Sequence, residues 1–253
     1  MERSAHLELP DEVRRLVILG DPHGDLAGLE AVWAREGGEG VALFSVGDNV
    51  GYADGPASSA FCRRFRELGG RSVTGNHEHW QGEDDELMIV IPPRPGADLP
   101  PRERWRLEPE VAAWSRALPH RLELKLAGWK RLRVVLRHTI GPGWGYVHAG
   151  NAAELASAER ADLVLVGHSH GPCLYQLAEG ERCPKRQEGL SLTGDEVATL
   201  AVEPFHRYVV DAGSLARPGY HPEPPQLGLA TYATLDLETR RLALHALVKP
   251  STE

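Results

Sequence analysis

Four short runs in this chain end alike: RLVILGDPHG from Arg15, VALFSVGDNVG from Val41, RSVTGNHEHW from Arg71 and DLVLVGHSHG from Asp162. They are rich in Val, Ile and Leu and stop at a glycine beside an acid, an amide or a histidine. Continuous apolar runs of this length suit strands covered on both faces of a sheet. Their polar residues then fall just beyond the strand ends. Between the first two runs Asp25 can cap a helix whose Leu26, Leu29, Val32 and Trp33 share one face, closed by Gly37-Gly38. Between the second and third, Ser58 or Ser59 opens a segment with Phe61, Phe65 and Leu68 at helical spacing before Gly69-Gly70. Strand, helix and strand in alternation predict an α/β fold with parallel crossovers. In such sheets ligands bind outside the carboxyl ends of the strands, so the four ends are expected to share one site.

The rest of the chain adds elements around this frame. Residues 81–106, with PPRPGADLPPRER, read as an inserted surface loop near the site, because prolines neither continue a helix nor join a central ladder. A helix follows from Pro109 with Val111, Trp114 and Leu118 on one face, and then LELKLAG and RLRVVLRH resemble a hairpin. Residues 178–203 look like a second insertion, and RYVVDAGS, LATYATLDL and RLALHAL read as closing strands. With 253 residues, no repeat and no linker, the expectation is one domain over 1–253.

Charge and cysteines narrow the function. A formal net charge of −8 offers no broad basic surface, so long duplex nucleic acid is not an expected partner. Cys62, Cys173 and Cys183 form no CxxC pair, which suggests neither a disulfide framework nor a thiolate zinc site. The N-terminal segment carries acids, lacks a cleavage pattern and has an apolar stretch too short to span a bilayer. A cytoplasmic protein without a membrane partner is expected.

The glycine-punctuated ends carry the chemistry. Asp21 and His23 lie two apart, so on an extended chain their side chains point to one side and can converge on a cation. Asp48 is a carboxylate at a second strand end, able to bridge two ions with its two oxygens. Asn76 and His77 supply an amide oxygen and a neighbouring imidazole, and His168 with His170 can serve two neighbouring metals. Imidazole, carboxylate and amide oxygen together suit Mn, Fe, Zn, Co or Ni. Taken singly, each group reads more simply as an Asx-turn, a cap or a surface histidine. Only the four together point to metal. His79 and Trp80 could flank a substrate, although an exposed histidine and a packed tryptophan are the plainer reading.

In this order and on strand ends, GDPHG, GDNVG, GNHE and GHSH resemble the ordered signature of calcineurin-like metallophosphoesterases. GDNVGYADGP and DAGSLARPG are similar to the small bacterial and archaeal YfcE-like phosphodiesterase branch. The resemblance covers residues 15–80 and 118–248. It implies a sandwich of two mixed β-sheets flanked by helices, and hydrolysis of a phosphate ester of a small phosphorylated molecule or nucleotide. It also implies two divalent metal ions. By position, Asp21, His23 and His170 would bind one metal, Asp48 would bridge, and Asn76 and His168 would bind the second. His77 would stand beside the phosphate as proton donor or charge stabiliser.

One further histidine belongs between GNHE and GHSH. His138 in VVLRHT is favoured, since it follows a strand-like run, and His148 in GYVHAG matches the version in other branches. Thr139 departs from the usual Gly or Ser after this ligand. Where the family's protein phosphatases carry an arginine soon after the bridging aspartate, this chain has Asn49, Val50, Gly51 and Tyr52, which argues against a phosphoprotein substrate. The expected chemistry is that of ions about 3.5 to 4 Å apart, with a bridging hydroxide attacking phosphorus in line with the leaving group. The rival expectation is a non-catalytic, metal-containing binding module on the same fold. His77 and the full ligand set stand against it.

Overall fold

The computed structural model describes residues 2–81, 102–126, 129, 132–141, 144–178, 180–192, 195–219, 226 and 228–250. Two mixed sheets face each other. The first runs in the order β1 (Ser4–Glu8), β5 (Arg121–Lys125), β6 (Val134–Arg137), β7 (Leu163–Val166), β11 (His206–Asp211), β8 (Cys173–Ala178), β9 (Arg186–Gly189). The second runs β10 (Glu196–Ala201), β13 (Arg241–Val248), β12 (Leu229–Asp236), β2 (Arg15–Leu19), β3 (Val41–Ser45), β4 (Arg71–Ser72). Parallel pairing joins β2, β3 and β4 in one sheet and β6, β7 and β11 in the other. β12, β13 and β10 continue the second sheet antiparallel.

Alternation between two covered faces explains why the central runs are almost wholly apolar. Leu16 and Ile18 of β2 and Phe44 of β3 meet Leu136, Leu165 and Val210 of the other sheet in the inter-sheet core. Val17, Leu19 and Leu43 point the opposite way, onto Leu29 and Val32 of α1 (Leu26–Glu36), Phe61 and Phe65 of α2 (Gly55–Glu67), and Val111 of α4 (Pro109–Ala117). Across the molecule Val135, Val164, Val166 and Val209 lie beneath Leu155 and Ala156 of α5 (Ala152–Glu159). Each such side chain stabilises the fold by about 1.5–3 kcal/mol when fully buried, so both strand faces select for apolar residues. A four-residue helix, α3 (Asn76–His79), follows β4 directly.

Several local expectations are corrected. Helix α2 starts at Gly55 rather than at Ser58 or Ser59, because the Asp54 side chain accepts from the Ala57 N–H and Pro56 fits the first turn. Both serines are buried in the helix instead. The RSVT run pairs only over Arg71–Ser72 before turning into the site. Strand β1 and helix α5 were not anticipated; β1 is half exposed and gains its ladder from parallel pairing with distant β5. Of residues 81–106, positions 82–101 lie outside the described residues, and Arg102–Trp105 forms a 3₁₀ turn leading into α4. The described part of 178–203 holds β9 and β10, one edge strand of each sheet. Among the described residues no helix is long and apolar enough to cross a membrane.

One buried polar cluster lies on the second sheet. His245 of β13 stacks on Tyr232 with centroids 4.6 Å apart, and its Nε2 lies 2.8 Å from Thr234 Oγ1. The Tyr232 hydroxyl donates to Glu36 at 2.9 Å. Burial lowers His245 to about 4, with Glu36 opposing. The unfolded chain takes up this proton near pH 6.5 and the folded chain only near 4, so the unfolded state binds more protons in between and stability is lost as pH falls through that window. His245→Gln should therefore lose less stability than wild type between neutral pH and about pH 4.5, by on the order of 2 kcal/mol. Urea unfolding at both pH values measures it; equal losses in the two proteins would show that His245 carries no such linkage.

Candidate metal centre

Five strand ends from both sheets meet at one place. Asp21 and His23 follow β2, Asp48 follows β3, Asn76 and His77 open α3 after β4, His138 follows β6, and His168 and His170 follow β7. The backbone there is not extended. Asp21 (φ 29), His23 (φ 47), Asp48 (φ 53), His168 (φ 74) and His170 (φ 61) all have positive φ. Such geometry costs roughly 1–2 kcal/mol per residue and persists only where the surroundings hold it. Here the loops hold one another: His23 N–H donates to Asp48 O at 2.8 Å, and His168 N–H to Asp21 Oδ2 at 2.7 Å. The Ser214 hydroxyl donates to Asp21 O at 2.8 Å, and Leu215 N–H to Gly20 O at 2.7 Å. Convergence of the side chains thus comes from locked turns.

The donors fall into overlapping groups. Asp21, His23 and His170 bring ligand atoms within 4.8 Å of one another, as do Asp48, His138 and His168, and as do His23, Asp48 and His77. Asp21 Oδ2 is 3.3 Å from His170 Nε2. Asp48 Oδ2 is 3.3 Å from His138 Nε2 and 3.9 Å from His23 Nε2, so it lies between the first two groups. Asn76 Oδ1 lies 2.9 Å from His138 Nε2. His148 is exposed and its Nδ1 accepts from Gly150 N–H at 3.0 Å, away from the cluster. Of the two candidate histidines the fold brings in His138.

The residues fit a divalent cation on their own geometry. His23 Nδ1 faces Val50 O at 3.1 Å and His170 Nδ1 faces Arg217 O at 3.2 Å. Carbonyl oxygens only accept, so each Nδ1 carries the hydrogen and each Nε2 presents a lone pair. Those two Nε2 atoms are 3.1 Å apart, an arrangement that repels unless positive charge lies between them. His138 repeats it: Nδ1 is 2.9 Å from Val46 O while Nε2 faces the oxygens of Asn76 and Asp48. Among the described residues Asp21 Oδ1 is buried without a hydrogen-bond partner. Carbonyl-oriented imidazoles with carboxylate and amide oxygens are what Mn, Fe, Zn, Co or Ni take as ligands.

Electrostatics agree with this geometry. Burial lowers His23 well below its ordinary range and brings His168 and His170 to about 4, so their imidazoles are neutral at physiological pH. Burial also lowers His138, but Asp48, Asp21 and Glu78 outweigh it and lift the group to about 10, the signature of a point that demands positive charge. Burial raises Asp48, yet His138, His77 and His23 hold it far below the usual carboxylate range. Burial pushes Asp21 well up, with His138 opposing.

His77 stands beside the candidate ligands. Its N–H donates to Asp48 Oδ1 at 2.9 Å, and its Nε2 is 3.9 Å from Asp48 Oδ2. Burial lowers its pKa, with Asp48 opposing. Close approach needs two glycines: a Cβ on Gly51 (φ 89) would run into the His77 ring, and one on Gly75 into Asp48 Oδ1. His79 is exposed with its ring 5.6 Å from Trp144, and Trp80, 37% exposed, lies 6.0 Å from His77.

Two carboxylates escaped the sequence reading. Glu78 is buried and accepts from the N–H groups of Asp48 (2.9 Å), Asn49 (2.6 Å) and Gly75 (2.6 Å), tying the Asp48 loop to α3. Burial and Asp48 push it up to about 7 against these hydrogen bonds. Its place three residues after Gly75 is the capping-box spacing, a signal the sequence did contain. Asp211 accepts from Ser169 Oγ at 2.7 Å and from Gly213 N–H at 2.9 Å, and so joins the DAGS and GHSH segments.

Two facing mixed sheets with Asp, His and Asn gathered at strand ends define a metallophosphoesterase architecture. The family model of calcineurin-like phosphoesterases matches residues 14–172, well over half the chain, and the protein belongs to this family. It is therefore a hydrolase acting on phosphate esters, in a family that works with divalent metals. The chain is similar to a metallophosphoesterase from Sphaerobacter thermophilus, at 26% identity and TM-score 0.67, with 94% of this chain and 89% of that one covered. It is also similar to a conserved uncharacterized protein from Streptococcus pneumoniae TIGR4, described as a predicted phosphoesterase. There the identity is 17% and the TM-score 0.44, over 93% of this chain and 89% of that one. No curated protein matches.

Proposed function

We propose that the protein hydrolyses a phosphate ester of a small molecule or nucleotide at a centre of two divalent cations. Asp21, His23 and His170 hold one, Asn76, His138 and His168 the other, and Asp48 is shared. The observation that supports this best is the pair of facing lone pairs on His23 and His170, with Asp48 lying between their group and that of His138. When bound, such cations supply positive charge for phosphoryl oxygens and acidify a water. Two ligand carboxylates do not neutralise two divalent ions, so the site attracts anions although the chain carries a net charge of −8. The loop after Asp48 has Asn49, Val50, Gly51 and Tyr52 and lacks the arginine that phosphoprotein phosphatases carry soon after this aspartate, which favours small substrates. His77 holds a proton at Nε2 once a phosphate brings the opposing charge that its buried ring lacks.

Elemental analysis after saturating reconstitution should find two tightly bound equivalents per chain, and a panel of phosphate mono- and diesters should contain a substrate. A single equivalent would contradict the shared role of Asp48. A doubly loaded protein that hydrolyses none of the esters would favour the binding-module reading.

A further inference from the structure

The DAGSLARPG segment closes one side of the metal centre and carries a cation that the reaction above does not use. The main chain of Arg217 is fixed there: its carbonyl accepts from His170 Nδ1 at 3.2 Å, and its N–H donates to Ser214 Oγ at 2.9 Å. Its side chain folds over Tyr52, with the guanidinium carbon 4.8 Å from the ring centroid. Tyr52, at φ 59, lays that ring 4.3 Å from His23, 5.0 Å from His77 and 6.1 Å from His170. Other arginines of the chain meet acids: Arg121 and Arg137 pair with Glu159, and Arg15 with Glu36. Among the described residues no carboxylate pairs with Arg217.

A half-buried guanidinium, stacked on an aromatic ring and with no carboxylate partner among the described residues, has N–H donors to offer, and phosphate oxygens match its planar fork. Tyr52, beneath the Arg217 guanidinium, borders His77 at 5.0 Å between ring centroids, and His77 is the residue from which a leaving group takes its proton in the reading above. We infer that Arg217, held over Tyr52, is an anion subsite for the leaving group, so the substrate carries a second phosphate there, as in a nucleoside diphosphate or a bis-phosphorylated small molecule. With ADP, water oxygen bonds to the β-phosphorus and the bridging P–O bond breaks. Its electron pair leaves on AMP, whose phosphate then faces Arg217.

This inference rests on the proposed function for the side on which the leaving group sits, and its test separates the two. Metal-loaded protein, dialysed free of excess ion, is titrated calorimetrically with methylenediphosphonate and with methylphosphonate, neither of which can be hydrolysed. Wild type should bind the diphosphonate more tightly, and Arg217→Ala should shrink that advantage by about 10- to 100-fold. Arg217→Lys should retain part of it. If Arg217→Ala disturbs His170 enough to lose metal, Arg217→Gln, which keeps the stem over Tyr52, carries the test. In turnover, the ratio of kcat/KM for ADP to that for p-nitrophenyl phosphate should fall by a similar factor. Both leaving groups need little protonation, so His77 does not set this ratio. An unchanged binding ratio in doubly loaded Arg217→Ala or Arg217→Gln overturns the subsite. Should neither ester be hydrolysed, the catalytic reading fails while the phosphonate titration still decides on Arg217.

Discussion

Asp48→Asn should release both cations together and lower turnover on the order of 10³-fold or more. Asp48 belongs to two of the ligand groups at once, with His138 on one side and His23 and His77 on the other. Asparagine keeps the shape, and its oxygen can still accept from the His77 N–H as Asp48 Oδ1 does at 2.9 Å. The other arm is the loss: an amide NH₂ then points where a carboxylate oxygen faced three imidazoles, setting donor hydrogens against the cations. Affinity should fall for both metals in parallel, seen as one merged step in a chelator competition. The chain itself should melt as a folded protein in chelator, since Glu78 still fixes the backbone at Asp48 through the 2.9 Å bond to its N–H. Retention of two equivalents with wild-type turnover would remove Asp48 from the shared position.

What could be read from the sequence follows from which forces are local. The central strands announced themselves because both faces are covered, so Val17 and Ile18 are equally buried though they point to different layers. The candidate ligands were visible because glycines and polar residues cluster where those strands stop. Their backbone was not visible. The left-handed turns at Asp21 and His168 are held by hydrogen bonds from His168 and Ser214, far along the chain, and no local spacing encodes them. That His138 rather than His148 lies in the cluster likewise depends on a distant contact, that of His138 Nδ1 with Val46 O at 2.9 Å. Strand β1 escaped because its half-exposed pattern owes its pairing to β5. The start of α2 escaped because Asp54 competed with two plausible serine caps and satisfied the first N–H groups earlier. Arg217 could be seen as a letter in DAGSLARPG, but only folding lays it over Tyr52.

His77→Ala should keep the fold and both cations, yet lower turnover by about 10²- to 10⁴-fold, as removal of a positioned acid does. The main-chain N–H that holds Asp48 Oδ1 survives the substitution, so the shared carboxylate stays in place. What disappears is the imidazole whose Nε2 stands 3.9 Å from Asp48 Oδ2 and whose ring lies 4.8 Å from that of His23. Because the His77 donor atoms also group with those of His23 and Asp48, metal content is the deciding control. Loss of one equivalent would make His77 a ligand, whereas two retained equivalents with slow turnover would place its work in the transition state. Burial lowers its pKa while a bound phosphate's charge opposes that shift, and the need for its proton depends on the leaving group. The defect should therefore be smaller on a nitrophenyl ester and larger on an alkyl or ribosyl ester of the same phosphate. Equal activity of variant and wild type on both kinds of ester would show that His77 neither donates the proton nor stabilises the phosphoryl charge.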